Sequence, residues 1–118
     1  MKVVERFIEP LNTTFRYIVG QNAQDNFDII DRADPDDYWF HVQNEPSCHV
    51  ICDLSKLSIP LDKKQLRYVL KQGGIICKQY SKYASMPETI IVYTQIKHIT
   101  KTDKIGQVSV ANSKVIII

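Results

Sequence analysis

Residues 60–83 form the one long stretch of the chain whose apolar residues repeat with the spacing of an α-helix. Ser58 is a suitable N-cap, and Pro60 is tolerated near the first turn because its missing N–H would have no helical partner there. At about 100° per residue, one broad arc collects these apolar or small residues: Leu61, Leu66, Tyr68, Val69, Gly73, Ile76, Cys77, Tyr80 and Tyr83. The pattern predicts a long amphipathic helix with one side buried. Gly73 lies on that side, which indicates close packing between the helix and a sheet, whereas Gly74 has no evident role.

The opposite arc of this predicted helix is basic. The helix cations are Lys63, Lys64, Arg67, Lys71, Lys78 and Lys82. No acidic residue shares their arc, although a solvated helix face usually mixes both signs because opposite charges at i,i+4 are mildly stabilising. The arc has two explanations, an ordinary solvated face or a surface for a polyanion. The absence of acids favours the polyanion, and we expect the helix cations to bind phosphates.

Short β-type segments flank the helix on both sides. They are residues 2–8, 15–19, 38–42, 49–52, 90–93, 95–99, 107–110 and 115–118. The polar residues 20–26 are typical of a turn, the acidic residues 31–37 interrupt regular structure, and residues 111–114 read as a hairpin turn between the last two strands. We therefore predict an α+β fold, a mostly antiparallel sheet packed against one long amphipathic helix. With 118 residues, the chain is expected to be a single domain spanning residues 1–118.

Composition excludes several classes of protein. No apolar run approaches the roughly 20 residues that cross a bilayer, and no signal-peptide core is present, so a soluble cytoplasmic protein with reduced cysteines is expected. The formal net charge is +2, but residues 1–55 carry −6 and residues 56–104 carry +7. This asymmetry either creates a positive surface or is neutralised across the fold. The C-terminal strand, residues 115–118, is either an internal strand or an edge that pairs with another chain, and the oligomeric state stays open.

Residues that could carry chemistry are few. Asp37, His41 and His49 could hold a metal or act as an acid–base cluster, although histidines beside aromatic strands are more often structural. A zinc site at Cys48 and Cys52 would need a tight fold, because the two residues lie about 13 Å apart in an extended strand. Neither a Gly-rich phosphate loop nor a recognisable nucleophile motif is present. We therefore expect no enzyme activity, no metal and no cofactor. Trp39 suits a buried position better than base stacking.

Four segments, in order across residues 15–118, resemble the NFACT-R domain family. The most specific segment is Asp37-Tyr-Trp-Phe-His-Val42, followed by Pro46-Ser-Cys-His-Val50. The family's Val–Gly–Arg–Asn loop is similar to Ile18-Val-Gly-Gln-Asn-Ala-Gln-Asp-Asn26. The end of the family's helix is similar to Tyr80-Ser-Lys82. Its Tyr–Thr–x–x–Lys … Gly segment is similar to Val92-Tyr-Thr-Gln-Ile-Lys97 with Gly106. Gln21 replaces the usual arginine, and Ser47 and Cys48 replace Gly–Ser.

The resemblance implies a non-catalytic RNA-binding domain of the kind found in ribosome-quality-control factors. It implies RNA such as tRNA or rRNA, or the ribosome itself, as partner, with DNA as an alternative suggested by a stand-alone relative. We expect Lys97, Lys101 and Lys104 to assist the helix cations. The motif loops would contribute Asn22, Asp37, Trp39, His41 and His49, with hydrogen bonds from Asn22, His41 and His49. The competing hypotheses are a metal-dependent hydrolase using Asp37, His41 and His49, and a protein-interaction module that docks through the acidic first half.

Overall fold

A six-stranded antiparallel sheet organises the protein, in a computed structural model that describes residues 1–118. The strands are β1 (Lys2–Ile8), β2 (Thr13–Gly20), β3 (Tyr38–Val42), β4 (His49–Asp53), β5 (Ile90–Gln95), β6 (Ile99–Lys101), β7 (Val108–Val110) and β8 (Lys114–Ile117). The helices are α1 (Ala23–Arg32) and α2 (Lys63–Gln79), with short 3-10 turns at Glu9–Leu11 and Ile96–His98. The strand order is β1-β2-β4-β3-β5-β8. The predicted α+β class, with one long helix on an antiparallel sheet, is confirmed.

Helix α2 packs on one face of the sheet and closes the larger core. Because side chains alternate along a strand, Phe15, Tyr17 and Val19 of β2 all point toward this face and are buried. The Tyr17 hydroxyl donates to the Val69 carbonyl of α2 over 2.7 Å, so the buried phenol keeps a partner. This hydrogen bond and the surrounding apolar contacts hold the helix across the sheet.

The boundaries predicted for the long helix were too wide at both ends. Asp62, not Ser58, caps α2: its carboxylate accepts from the Gln65 amide at 2.8 Å, and the Gln65 side chain accepts from the Asp62 amide at 3.0 Å. This reciprocal capping box satisfies two free N–H groups at the helix start, which a cap at Ser58 would leave unpaired. Pro60 therefore precedes the helix. Tyr68, predicted on the buried arc, is exposed.

The paired glycines of α2 each permit a close approach. A β-carbon at Gly73 would overlap the ring of Phe40, so the predicted reason for this glycine, tight packing of the helix on the sheet, is confirmed. A β-carbon at Gly74 would lie 2.9 Å from Cγ1 of Ile118. The second glycine, for which the sequence offered no reason, makes room for the last residue after β8.

A second helix, α1, was missed by the sequence analysis. The segment 20–26 is not simply a turn: Asn22 caps α1, and its side chain accepts from the Asp25 amide at 2.8 Å. Ile29 and Ile30 pack with Trp39 and Ile51 in a smaller core on the sheet face opposite α2. Ala23, Phe27, Ile29 and Ile30 after the Asn22 cap were the available signal, but a helix of ten residues is marginal by itself and is stabilised by packing on the sheet.

The predicted hairpin between the last two strands is wrong. Strand β7 pairs with β6 in a separate two-stranded sheet, whereas β8 pairs with β5 at the edge of the main sheet. The chain changes direction at Asn112, which has a positive φ of 52°, and the Thr94 hydroxyl donates to the Ala111 carbonyl at 3.1 Å. Residues 95–99, predicted as a strand, contain a 3-10 turn. The β6–β7 hairpin therefore joins α1 over the smaller core.

Neither helix is long and apolar enough to span a membrane.

Candidate nucleic-acid interface

The helix cations lie on the exposed side of α2 and, at its C-terminal end, just beyond it. Three ion pairs form in the whole structure, and they join the N-terminal amine to Asp25, Lys97 to Asp36 and Lys101 to Asp31. None involves a helix cation. The acidic first half of the chain therefore does not neutralise the basic helix surface, so five exposed cations are left without an ionic partner: Lys63, Lys64, Arg67, Lys71 and Lys82.

Lys78 differs from the other helix cations. Its ammonium donates to the carbonyl oxygens of Met86 at 2.6 Å and Ile118 at 2.9 Å. These contacts tie the segment after α2 and the end of β8 to the helix. This role was not predictable from the sequence, because the acceptors are backbone groups far along the chain. Lys78 therefore has a structural role that competes with the phosphate contact predicted for it.

The three assisting lysines do not extend the surface of α2. Lys97 lies 3.1 Å from Asp36 and Lys101 lies 2.7 Å from Asp31, so both already have a carboxylate partner. Lys104 is in the turn between β6 and β7 and is exposed. Because the β6–β7 hairpin and α2 cover opposite faces of the sheet, the lysines near this hairpin and the helix cations form separate surfaces. Contact of Lys97, Lys101 and Lys104 with RNA stays a prediction.

Four of the five motif-loop residues border one cavity of about 1020 Å³. Asn22 comes from the start of α1, Trp39 and His41 from β3, and His49 from β4. The turn between β6 and β7 closes the remaining side. Two further lining residues were not singled out by sequence reasoning: Asn26, which is nine-tenths buried, and Gly106, whose φ is +80°. Both residues lie in the segments that resemble the NFACT-R family, and this resemblance was the sequence signal that could have identified them.

Trp39, His41 and His49 form an imidazole–indole cluster at this cavity. The rings of Trp39 and His41 are parallel within 4°, with centroids 5.5 Å apart, and the His49 ring stands perpendicular to both at 5.3 and 5.1 Å. Trp39 is only 2% exposed, which agrees with its prediction as a core residue. Burial lowers the pKa of His41, and burial together with His41 lowers the pKa of His49 to about 3. Both imidazoles are therefore neutral at physiological pH.

Two atoms of this cluster lack hydrogen-bond partners. They are Nε1 of Trp39 and Nδ1 of His49, and both are buried. Buried polar atoms are normally paired because the unpaired state forfeits the hydrogen bonds that water would make. The cluster therefore retains unused hydrogen-bonding capacity beside an open cavity.

Asp37 does not join the two histidines, which corrects the grouping on which the hydrolase hypothesis depended. Its carboxylate accepts from the amides of Leu54 at 2.9 Å and Asp34 at 3.0 Å, so it fastens the loop before β3 to the end of β4. His41 lies four residues further along the extended chain, about 13 Å away. Burial raises the pKa of Asp37 despite these hydrogen bonds.

No group of three or more histidine, cysteine or acidic side chains is placed to hold a metal ion. The alternative zinc site at Cys48 and Cys52 also lacks the tight fold that it would need, because Cys52 lies in the extended strand β4 rather than in a tight knuckle. All three cysteines are free thiols. The described residues therefore do not assemble the ligand set that either metal hypothesis required.

Acid should destabilise this protein through His49. The folded pKa is about 3 against 6.5 for a free histidine, so below pH 6.5 the unfolded chain binds a proton that the folded chain does not. The stability that depends on neutral His49 is fully present above pH 6.5 and is lost progressively as the pH falls toward 3. At pH 4.5 we expect a loss of about 2–3 kcal/mol in the free energy of unfolding. Urea unfolding at pH 7 and 4.5 measures it.

The variant His49→Phe should lose much of this pH dependence, because it removes the titrating group and keeps an aromatic ring in place. The backbone amide of His49 can still donate to Asn26 Oδ1. His98→Phe, outside the cluster, should retain the dependence of the parent protein. An unchanged acid sensitivity in His49→Phe would contradict the assignment to His49.

The fold and the site together define a small α+β binding domain, with a sheet covered on both faces, an unneutralised basic helix and a cavity lined by aromatic and amide groups. A sequence model of the family described as the NFACT protein RNA binding domain matches residues 4–112. The chain belongs to this family of RNA-binding domains, and the resemblance seen in its motifs is confirmed. No curated protein matches the chain.

A solved structure supports the same fold. The C-terminal part of the fibronectin/fibrinogen-binding protein from Streptococcus suis is similar to this chain, with a TM-score of 0.75 and 20% sequence identity. The similarity covers 88% of this chain and 41% of that one, so the present chain spans less than half of the length of its structural neighbour. At this identity the likeness establishes the fold alone.

Proposed function

We propose that the protein binds structured RNA without catalysing a reaction, and that the exposed cations of α2 contact its phosphates. The observation that carries the proposal is the lack of any ion pair to Lys63, Lys64, Arg67, Lys71 and Lys82, in a chain that has thirteen acidic residues. Membership of an RNA-binding domain family supports RNA as the polyanion.

The spacing of the helix cations suits a negatively charged backbone. Lys63, Arg67 and Lys71 stand one turn apart, so at 1.5 Å per residue the row spans about 12 Å. Like charges at i,i+4 repel one another and slightly destabilise a helix. Phosphates would remove this repulsion and release condensed counterions, which makes association favourable at low salt.

We further propose that the partner is a tRNA or an rRNA-like segment in the cytoplasm, in connection with ribosome quality control. This proposal rests on the family resemblance, since the phosphate contacts of α2 carry no sequence information. DNA of equal charge is the comparison ligand. If the partner is ribosomal, structured RNA should compete for binding to the protein better than duplex DNA at the same ionic strength.

A salt titration tests the phosphate contacts. If the five free helix cations each neutralise one phosphate, log K should fall with log salt at a slope of about −4.5 on a double-stranded ligand. Fluorescence anisotropy with a labelled RNA hairpin measures K between 50 and 300 mM salt. A slope near zero would reject this binding mode. Duplex DNA of the same length, measured in parallel, shows whether RNA is preferred.

A further inference from the structure

We infer that the cavity beside the imidazole–indole cluster accepts one unpaired nucleotide of the bound RNA, with its base stacked on the His41 ring. This inference rests on the proposed RNA binding and adds a second contact area, on the sheet face opposite α2. It names the substrate class more narrowly, as RNA with an unstacked base rather than a continuous duplex.

The His41 ring is preorganised as a stacking platform. It is half-buried and borders the cavity, and Trp39 lies parallel to it while His49 supports it at right angles. A ring held by two neighbours loses little conformational freedom when a base binds. Trp39 is too deeply buried to touch a base itself. Its place is behind His41, so a bound base would extend an existing parallel stack.

The wall of the cavity offers hydrogen bonds to a base edge. His49 lines the cavity, and its Nδ1 has no hydrogen-bond partner within the protein. Asn26 Oδ1 accepts from the His49 amide at 3.3 Å, while the Asn26 side-chain amide nitrogen makes no hydrogen bond within the chain. Nucleobases carry donors and acceptors along one edge and a flat face, which matches an aromatic platform bordered by polar groups.

The opening of the cavity suits a phosphate. Ala23, at the first turn of α1, lines it. The amides of Ala23 and Gln24 have no partner within the helix, whereas the Asp25 amide is taken by the Asn22 side chain. Gly106 packs so closely on Ala23 that a β-carbon would lie 2.8 Å from the Ala23 Cα. Exposed Lys104 belongs to the same turn. Among the lining residues, the one carboxylate is Glu45, which already accepts from the Tyr83 hydroxyl at 2.7 Å.

The size of the cavity excludes a helix of RNA. At about 1020 Å³ it lies at the upper end of the range of pockets that hold small-molecule ligands, and it is too small for a helix of RNA. Bases within a duplex are stacked and paired, so only a loop, a bulge or a single-stranded end can place a base here.

Trp39 provides the readout, because it is the only tryptophan of the chain. Titration with a single-stranded octanucleotide of RNA should change its fluorescence, whereas a blunt RNA duplex should leave it nearly unchanged. The variant His41→Ala should weaken binding of an RNA hairpin with an unpaired loop about tenfold, since one stacked base contributes on that order. It should leave the affinity for the blunt duplex within about twofold.

Two further variants separate stacking from structural damage. His41→Phe retains a flat ring and should restore hairpin affinity to within about threefold of the parent protein. His98→Ala removes a histidine outside the cavity and should have no effect. The inference is overturned if His41→Ala weakens hairpin and duplex equally, if it weakens neither, or if His41→Phe fails to rescue.

The failure of this inference is distinguishable from the failure of the proposed function. If Arg67→Glu weakens duplex binding while the octanucleotide leaves Trp39 fluorescence unchanged, α2 binds RNA and the cavity does not. If the parent protein binds neither duplex nor octanucleotide, both proposals are wrong.

Discussion

Reversing two charges on α2, with Arg67→Glu and Lys71→Glu together, is expected to lower RNA affinity about 100-fold at 0.1 M salt. Both side chains are exposed and form no ion pair, so the substitutions break no ion pair within the protein. With a salt slope of about −0.9 per phosphate, each contact raises the binding constant roughly eightfold when the salt concentration falls from 1 M to 0.1 M. Losing two contacts therefore costs about 60-fold, and the new repulsion adds to it. Fluorescence anisotropy with the RNA hairpin measures the change.

The matched control reverses two charges elsewhere on the molecule. Lys97→Glu with Lys101→Glu produces the same change in net charge, but these lysines already pair with Asp36 and Asp31 and lie apart from α2. Exposed pairs of this kind contribute little to stability, so the control should fold. We expect it to weaken binding less than about threefold. Equal losses in the two double variants would mean that net charge, rather than α2, attracts the RNA.

Replacing Gly73 with leucine is expected to reduce the free energy of unfolding by more than about 3 kcal/mol. The new side chain would overlap Phe40, whose ring is fully buried and has no space to move into. Overpacking by extra methylenes typically costs about 1–3 kcal/mol, and leucine adds four carbons at a site that admits none. Since small domains are stable by only about 5–15 kcal/mol, the variant should be largely destabilised. Urea unfolding followed by circular dichroism measures it.

The neighbouring glycine is the control for backbone effects. In a helix, alanine is favoured over glycine by about 1 kcal/mol, so helix propensity alone would predict that Gly73→Ala and Gly74→Ala both stabilise. We expect Gly73→Ala to destabilise, because the Phe40 ring blocks the β-carbon. Gly74→Ala should stay within about 1 kcal/mol of the parent protein, because the atoms nearest the new β-carbon are the outer atoms of the Ile118 side chain, which can shift. The packing argument fails if both alanine variants are stabilised.

Most strands and the long helix were predictable because their signals are local. The apolar and aromatic run at residues 38–42 indicated β3 with its observed bounds, and the spacing of Val69, Gly73 and Ile76 indicated the buried side of α2. The cap was misassigned because Ser58 and Asp62 are both good N-caps by residue type. The Gln65 side chain that completes the capping box decides between them.

The motif residues were also predictable as a set, but their separation into distinct roles was not. Asn22, His41 and His49 reach one cavity, while Asp37 belongs to a different end of β3 and holds a loop. Sequence spacing does not show this difference, because it depends on which amides and rings surround each side chain after the sheet has formed.

The order of the amino acids is sufficient to specify the α+β class, the buried side of α2 and the row of cations along its exposed side. These features follow from periodicity and charge within a single element, so neighbouring residues along the chain are sufficient to define them. Other features emerge only in the folded chain: β8 pairs with β5, α1 and the β6–β7 hairpin enclose a cavity, and Lys97 and Lys101 pair with carboxylates while the exposed cations of α2 do not. Each of these depends on contacts between residues far apart in the chain, whose pairing is selected by the packing of the whole fold rather than by local preference.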